Sequence, residues 1–122
     1  MGMISKRILI VDDEEGYRKV LSNSLTDIGY ETTVATCGFE ALQAMKRENY
    51  IAVLLDMDMP GMDGIELLEQ IQKAHCPSNI IIITAYMCED MARRVIGKGA
   101  TKVIRKPFRM DDIKVCLNEI VD

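Results

Sequence analysis

The chain has 122 residues, a formal net charge of −4 at pH 7 and a pI near 5.0, and this length predicts one globular domain over residues 1–122. The acidic balance argues against direct nucleic-acid binding by this domain, because nucleic-acid-binding proteins usually carry a basic excess that neutralises phosphates. No apolar run approaches the roughly 18 residues of a membrane span, and the N-terminus lacks the apolar stretch of a secretory signal. We therefore expect a cytoplasmic protein that does not contact a membrane.

Five short apolar runs, rich in β-branched residues, predict five β-strands. The runs are Ile8–Val11, Thr32–Ala35, Ile51–Leu55, Ile80–Thr84 and Lys102–Ile104. The first, third and fourth are apolar at consecutive positions rather than at alternate ones. This pattern is typical of strands that are covered on both faces of a parallel sheet, and helices must supply those covers.

Segments with helical spacing of apolar residues separate the predicted strands. Their apolar positions are Tyr17, Leu21, Leu25 and Ile28, with Gly29 as the end; Ala41, Leu42 and Met45; Ile65, Leu68 and Ile71; Met91, Val95 and Ile96; and Ile113, Leu117, Ile120 and Val121. The alternation predicts an α/β fold with a five-stranded parallel sheet, doubly wound as (βα)5, in a flavodoxin-like three-layer sandwich. Ligands of such sheets bind beyond the carboxyl ends of the strands, where the strand order reverses.

Three aspartates follow two of the predicted strands. Asp12 and Asp13 come directly after the first strand and Asp56 directly after the third, so we expect their carboxylates to converge at one edge of the sheet. At about 4 to 5 Å and an effective dielectric of 20, each pair of carboxylates would repel by roughly 3 to 4 kcal/mol. A few oxygen ligands, with room left for water and a phosphate, indicate Mg²⁺ as the cation that relieves this repulsion. The alternative is that Asp12 or Asp13 caps the first helix.

A hydroxyl and an amine are predicted at the same edge of the sheet. Thr84 ends the fourth strand and Lys106 follows the fifth, so a phosphate oxygen at this edge would be within reach of both. Pro107 follows the lysine, and an X-Pro bond is where a cis peptide can direct a side chain toward a site. The alternative for Lys106 is a solvated surface charge.

Four segments together resemble the receiver domain of bacterial two-component response regulators of the chemotaxis-regulator type. They read ILIVDDEE, VLLDMDMPGMDGIELL, IIIITAY and VIRKPF. Their joint order, spacing and strand context make the match specific. The resemblance runs from about Lys6 to the end of the chain, so residues 1–5 are interpreted as an N-terminal extension or a cloning remnant.

The resemblance implies a phosphorylation-activated signalling domain rather than an enzyme in the ordinary sense. Asp56 would accept a phosphoryl group from a sensor histidine kinase or a phosphotransfer protein. Asp13 would bind Mg²⁺ directly, Asp12 would often act through water, and the backbone carbonyl of Asp58 would be a third ligand. The acyl phosphate would later hydrolyse at the same metal site.

The resemblance also concerns the residues that respond to phosphorylation. Thr84 and Lys106 would hold the transferred phosphoryl group. Receivers usually place a tyrosine or phenylalanine three residues before the lysine, where the ring swings inward, but this chain has Val103, whose β-branched side chain has few rotamers. We therefore expect the signal to pass through the loop after Thr84 and the fourth helix, with Tyr86 either as the moving residue or as a shield against water. The alternative for Tyr86 is a plain surface residue.

A basic stretch and a methionine group are candidates for partner contacts. Residues 91–110 carry seven basic and no acidic side chains. They cover the fourth helix, the fifth strand and the start of the fifth helix, the face through which receivers commonly form homodimers or bind partners; a solvated basic face is the alternative. Met57, Met59 and Met62 crowd the Asp56 loop and are interpreted as an apolar rim for a partner's helix.

Two other protein classes share part of this sequence pattern. An aspartate-nucleophile phosphatase of the haloacid dehalogenase type would use Asp56 and Asp58 as its DxD pair, but that motif belongs on the first strand, and the chain has too few residues for a cap domain. A flavodoxin-like cofactor binder would need a phosphate-binding loop after the first strand, where this chain has four acidic residues.

The four cysteines form no CxxC pair, so we expect reduced thiols. His75 is predicted at the exposed end of the third helix.

Overall fold

The computed structural model describes residues 6–61, 63–76, 78–86 and 88–121, with residue 121 described by its backbone alone. The strands are β1 (Arg7–Val11), β2 (Glu31–Ala35), β3 (Ala52–Asp56), β4 (Asn79–Thr84) and β5 (Lys102–Arg105). The helices are α1 (Glu15–Asp27), α2 (Gly38–Arg47), α3 (Gly64–Lys73), α4 (Glu89–Gly97) and α5 (Met110–Val121). Every predicted strand and helix is present in the predicted order, and each strand end differs from its predicted position by no more than one residue.

The strands form one parallel sheet in the order β2-β1-β3-β4-β5. The chain passes from β1 to one neighbour, β2, and then crosses back to form β3 on the other side of β1, so the strand order reverses between β1 and β3. In open α/β sheets, ligands bind at this reversal, outside the carboxyl ends of the strands. The register pairs Val11 with Leu55 and thereby places the next residues of the two strands side by side.

Apolar clusters cover both faces of the sheet. On one face, Leu9, Val53 and Ile80 pack with side chains of α2, α3 and α4. On the other face, Leu54 and Ile81 pack with side chains of α1 and α5. Because helices cover both faces, β3 is buried at every position, as its continuous apolar run predicted. The predicted three-layer α/β sandwich is confirmed.

The start of α3 is determined by two neighbouring residues of the loop after β3. The Asp63 carboxylate accepts hydrogen bonds from the backbone N–H groups of Ile65 and Glu66 at 3.0 and 3.2 Å, which is an N-cap. Gly64 is buried, and the Met57 side chain occupies the space that a Cβ at this position would fill. The loop that carries Asp58 therefore joins α3 through a capped and closely packed turn.

A few apolar residues differ from their predicted positions. Ile28 and Ile96 were predicted on buried helix faces but are 45% and 48% exposed. For Ile28 the reason is that α1 ends at Asp27 and Gly29 follows with a φ of 102°, as a helix-ending glycine does. Met59 was predicted in an exposed rim but is buried, because it packs into the cluster beneath α2, α3 and α4. Met62, the third residue of that predicted rim, and residues 1–5 lie outside the described residues.

Five residues were assigned no chemistry in the sequence analysis, namely the four cysteines and His75. Cys37, Cys76, Cys88 and Cys116 are all free. His75 is exposed two residues after the end of α3, with a φ of 53°. In the part of the chain that the structure describes, no helix is long and apolar enough to cross a membrane.

Candidate functional site

The carboxyl ends of β1 and β3 bring three aspartates together. Asp56 is the last residue of β3 rather than the residue after it, and Asp12 directly follows β1. Both are 4% exposed, whereas Asp13 is exposed. One carboxylate oxygen from each of the three lies within 4.8 Å of the others. The structure thus brings these three predicted site residues together at the strand-order reversal.

The pKa of Asp12 is raised by this arrangement. Burial raises its pKa to about 6, and the neighbouring Asp56 carboxylate also raises it, whereas a hydrogen bond from the backbone N–H of Glu14 to Asp12 Oδ1 at 2.9 Å acts in the opposite direction. The residue that precedes α1 as its N-cap is Glu14, so neither Asp12 nor Asp13 is the helix cap. The crowded carboxylates therefore form a site that a cation would stabilise.

Lys106 brings a positive charge into this cluster. Its Nζ lies 3.1 Å from Asp56 Oδ1 and 3.4 Å from Asp58 Oδ2. Partial burial would by itself lower the pKa of Lys106, but the surrounding carboxylates, chiefly Asp56, raise it above its usual value. The Lys106 side chain is only 14% exposed, so it is not the solvated surface charge of the alternative interpretation. The Lys106–Pro107 peptide bond is cis.

Asp58 makes side-chain contacts that the sequence did not predict. Its Oδ1 accepts a hydrogen bond from Thr84 Oγ1 at 2.7 Å, and its Oδ2 accepts one from the backbone N–H of Ala85 at 2.8 Å. Its own backbone N–H donates to Asp56 Oδ1 at 2.8 Å. Asp58 therefore connects the end of β3 to the end of β4, and no sequence pattern identifies this role.

Two further residues contact the site from α1. The Lys106 ammonium lies 5.2 Å from the centroid of the Tyr17 ring, a cation–π contact. Arg18 Nη1 donates a hydrogen bond to the backbone carbonyl of Asp12 at 2.9 Å. Sequence analysis assigned Tyr17 only to the apolar face of the first helix, because its spacing reports burial and not which strand end it contacts.

A cavity of about 320 Å³ lies beside Thr84. Its lining includes Asp58, Tyr86 and Met91. Tyr86 is 81% exposed, and its backbone N–H donates to Thr84 Oγ1 at 3.1 Å. Val103 packs half-buried against the core cluster on this face of the sheet. The predicted candidate Tyr86 therefore lies next to both the threonine and an apolar cavity.

The donor set fits Mg²⁺ better than a softer metal. Among the described residues, the three converging groups are all carboxylates, and hard oxygen donors of this kind suit Mg²⁺. Lys106 offers one positive charge against Asp12, Asp13, Asp56 and Asp58. A divalent cation would offset most of the remaining negative charge. Both side-chain oxygens of Asp58 already accept hydrogen bonds, so its backbone carbonyl is the better candidate ligand.

Comparison with known proteins agrees with this geometry. The chain is 40% identical over 112 residues to the sporulation initiation phosphotransferase F of Bacillus subtilis (strain 168), which covers 92% of this chain and 90% of that protein. It is 39% identical over 103 residues to the DNA-binding transcriptional regulator NtrC of Klebsiella pneumoniae, covering 84% of this chain but only 22% of that longer protein.

Solved structures show the same fold. The receiver domain dimer of beryllofluoride-activated NtrC4 superposes with a TM-score of 0.87 and 32% sequence identity, covering 94% of this chain and 95% of that one. The family model of the response regulator receiver domain matches residues 8–118, which is most of the chain. The chain belongs to the response regulator receiver domain family and is a receiver domain of two-component signal transduction.

Proposed function

We propose that Asp56 is the phosphoacceptor of this receiver domain, and that Asp12, Asp13 and the backbone carbonyl of Asp58 hold Mg²⁺ beside it. The observation that carries the proposal is the 3.1 Å contact between the Asp56 carboxylate and the Lys106 ammonium inside the acidic cluster. A nucleophilic carboxylate that is placed beside both a cation-binding cluster and an ammonium is suited to receive a highly charged phosphoryl group.

In the proposed reaction, an oxygen of Asp56 attacks the phosphorus atom of a phosphohistidine on the donor protein. The new O–P bond forms while the P–N bond breaks, and the electron pair of the broken bond leaves with the imidazole nitrogen of the donor. Because the transition state is loose, the site contributes mainly alignment and charge neutralisation. Lys106 supplies positive charge and Thr84 supplies a hydroxyl donor for the phosphoryl oxygens. Mg²⁺, when bound, would further neutralise charge on those oxygens.

The donor in this proposal is a sensor histidine kinase or a phosphotransfer protein of the cytoplasm. The name of the Bacillus subtilis relative, a phosphotransferase, supports a role in phosphoryl relay. Hydrolysis of the acyl phosphate at the same site would reset the domain. The protein thus acts as a phosphoacceptor that assists its own phosphorylation and dephosphorylation, and not as an enzyme with a separate product.

We further propose that phosphorylation controls homodimerisation or partner binding through α4, β5 and α5. The similarity to a beryllofluoride-activated receiver domain dimer supports this use of the fold. Three of the basic side chains on this face pair within the chain: Arg93 with Glu89, Lys98 with Glu69, and Lys102 with Glu119. Arg94 of α4 and Arg105 of β5 are exposed, so they are the better candidates for contact with an acidic partner surface.

The route from the site to this face is proposed to run through Tyr86. Val103 has too few rotamers to reproduce the swing of an aromatic ring. Tyr86 is exposed beside the cavity that Met91 of α4 also lines. Movement of Thr84 toward a phosphoryl group would change the Tyr86 position directly, because the Tyr86 N–H donates to the Thr84 hydroxyl oxygen.

Intact-mass spectrometry after incubation with acetyl phosphate and Mg²⁺ tests the phosphoacceptor. The expected result is one phosphoryl adduct that disappears in the Asp56→Asn variant and after addition of EDTA. Asp63→Asn, which changes an aspartate on the same loop outside the proposed site, is the matched control and is expected to be labelled like the parent chain. An adduct that persists in Asp56→Asn would contradict the assignment of Asp56, and an adduct that forms in EDTA would contradict the assignment of the metal.

A further inference from the structure

The Asp58 carboxylate accepts hydrogen bonds from donor groups close to the proposed site. It accepts from the Thr84 hydroxyl at 2.7 Å and from the Ala85 N–H at 2.8 Å, and it lies 3.4 Å from the Lys106 ammonium. Its side chain is 15% exposed. Asp58 is also held next to Asp56, because its backbone N–H donates to the Asp56 carboxylate. A second negatively charged group thus lies beside the proposed phosphoacceptor and accepts hydrogen bonds from donor groups at the carboxyl end of β4.

These donors cannot serve two acceptors equally well at one time. A hydroxyl and a backbone N–H each carry one hydrogen. A phosphoryl group on Asp56 would bring further anionic oxygens into the same space and would need hydrogen bonds for them. Because Thr84 and Ala85 already donate to Asp58, the phosphoryl oxygens can gain these bonds only when the carboxylate gives them up.

We propose that the Asp58 side chain is an internal competitor of the phosphoryl group. In the unphosphorylated domain it holds Thr84 and Ala85, and it is displaced when Asp56 is phosphorylated. This inference rests on the proposed function, since it takes Asp56 as the phosphoacceptor. It assigns to the Asp58 side chain a role separate from that of its backbone carbonyl, which is the proposed metal ligand.

Two observations on the Asp58 environment support competition. Three donor groups hold the Asp58 carboxylate at once: the Thr84 hydroxyl, the Ala85 N–H and the Lys106 ammonium, which lies 3.4 Å from Oδ2. Asp58 also lines the cavity beside Tyr86. The displaced side chain therefore has space on the side of α4, and its movement would be felt by residues that line the same cavity.

Competition has a measurable consequence for Thr84. In the parent chain, the Thr84 hydroxyl exchanges one anionic acceptor, Asp58, for another, the phosphoryl group, so its net contribution to phosphoryl binding is small. In the Asp58→Ala variant, the Thr84 hydroxyl does not give up a hydrogen bond to a carboxylate when the phosphoryl group binds. Its hydrogen bond to the phosphoryl group then contributes fully to the binding free energy. The two residues are thus expected to be coupled in their effect on binding of a phosphoryl analogue.

A double-mutant cycle with beryllofluoride and saturating Mg²⁺ tests this coupling, with binding measured by fluorine NMR. Asp58→Ala is expected to tighten beryllofluoride binding by about tenfold, the value of one hydrogen bond to a charged group. Thr84→Ala is expected to weaken binding by about twofold or less in the parent chain but by about tenfold in the Asp58→Ala background. Asp90→Ala, which removes an exposed carboxylate in the first turn of α4, is the charge control and is expected to have no effect.

The outcomes separate this inference from the proposed function. Equal effects of Thr84→Ala in both backgrounds would overturn competition, because a simple charge effect of Asp58 is additive. Amide hydrogen exchange gives a second test: Asp58→Ala is expected to speed exchange of the Ala85 N–H in the unphosphorylated domain, and unchanged exchange would also overturn competition. Failure of the parent chain to bind beryllofluoride, or binding that persists in Asp56→Asn, would overturn the proposed phosphoacceptor and this inference with it.

Discussion

The Lys106 ammonium reaches from the end of β5 across β4 to the Asp56 carboxylate at the end of β3, where the charged atoms lie 3.1 Å apart. The two side chains are only 14% and 5% exposed, so solvent screens their attraction less than that of a surface pair. The proposed nucleophile is therefore held in a fixed position by a charge that is also suited to neutralise an incoming phosphoryl group.

Replacement of Lys106 is expected to slow phosphorylation. Lys106→Ala removes the ammonium and leaves the carboxylates to repel a phosphate donor, so we expect labelling by acetyl phosphate to slow by at least about tenfold. The measurement is the rate of adduct formation by intact mass at saturating Mg²⁺. Lys98→Ala, which removes a half-exposed lysine paired with Glu69, is expected to label at the parent rate. Equal rates for the two variants would argue against a role for Lys106 in the transfer.

Mg²⁺ affinity is expected to depend on the protonation of Asp12. Its pKa is raised to about 6 by burial and by Asp56, so the fraction of protonated Asp12 grows as the pH falls through 6. A protonated carboxyl is a poor metal ligand. Calorimetric titration should therefore show affinity that is nearly constant above about pH 7 and falls by up to about tenfold per pH unit below 6. Asp12→Asn should bind more weakly and with a flatter pH profile; a profile as steep as that of the parent would assign the proton to another group.

Tyr86 is expected to affect the lifetime of the phosphorylated form. Tyr86→Ala opens the exposed side of the cavity beside Thr84, so water should reach the acyl phosphate more easily and hydrolysis should accelerate by at least about threefold, or about 0.6 kcal/mol in the barrier. Decay of the labelled protein by intact mass gives this rate. Tyr86→Phe keeps the ring and should decay like the parent. If Tyr86→Ala leaves both the lifetime and the phosphorylation-dependent association unchanged, Tyr86 is only a surface residue.

The basic face is expected to contribute to association and not to phosphoryl uptake. Reversal of Arg94 and Arg105 to glutamate places negative charges on exposed positions of α4 and β5. We expect sedimentation analysis with beryllofluoride to show association weakened by about tenfold, about 1.4 kcal/mol, with labelling of Asp56 unchanged. Lys19→Glu, which reverses an exposed charge on α1, away from this face, is the control. Unchanged association of the double variant would leave this face as a solvated basic surface.

The Asp63 N-cap is expected to contribute to stability. Asp63→Ala removes both hydrogen bonds to the first turn of α3, and the expected loss in the free energy of unfolding is about 1 kcal/mol. Asp63→Asn retains an acceptor and should lose only a fraction of that value. Urea denaturation followed by circular dichroism provides both free energies. An Asp63→Ala variant as stable as the parent would mean that water replaces the cap without cost.

The fold could be predicted from the sequence because its signals are local. Continuous apolar runs predicted strands with both faces covered, and β3 is buried at every position. The same periodic signals misplaced Ile28 and Ile96. Gly29 correctly marked the end of α1, but Ile28 lies after the last helical residue, and the spacing of Ile96 does not report how wide the covered face of α4 is. Met59 was misplaced for a related reason: a loop methionine carries no periodicity that distinguishes a core position from a rim.

The sequence by itself determined the positions of Asp12, Asp56, Thr84 and Lys106 at strand ends, because parallel strands direct their carboxyl ends to one edge of the sheet. Only the tertiary structure decided the hydrogen-bond partners within that edge. Asp58 donates to Asp56 and accepts from Thr84, which is 26 residues away along the chain, and Tyr17 of α1 lies against Lys106. These contacts depend on side-chain rotamers and on the packing of distant segments, and such geometry leaves no pattern in the order of the residues.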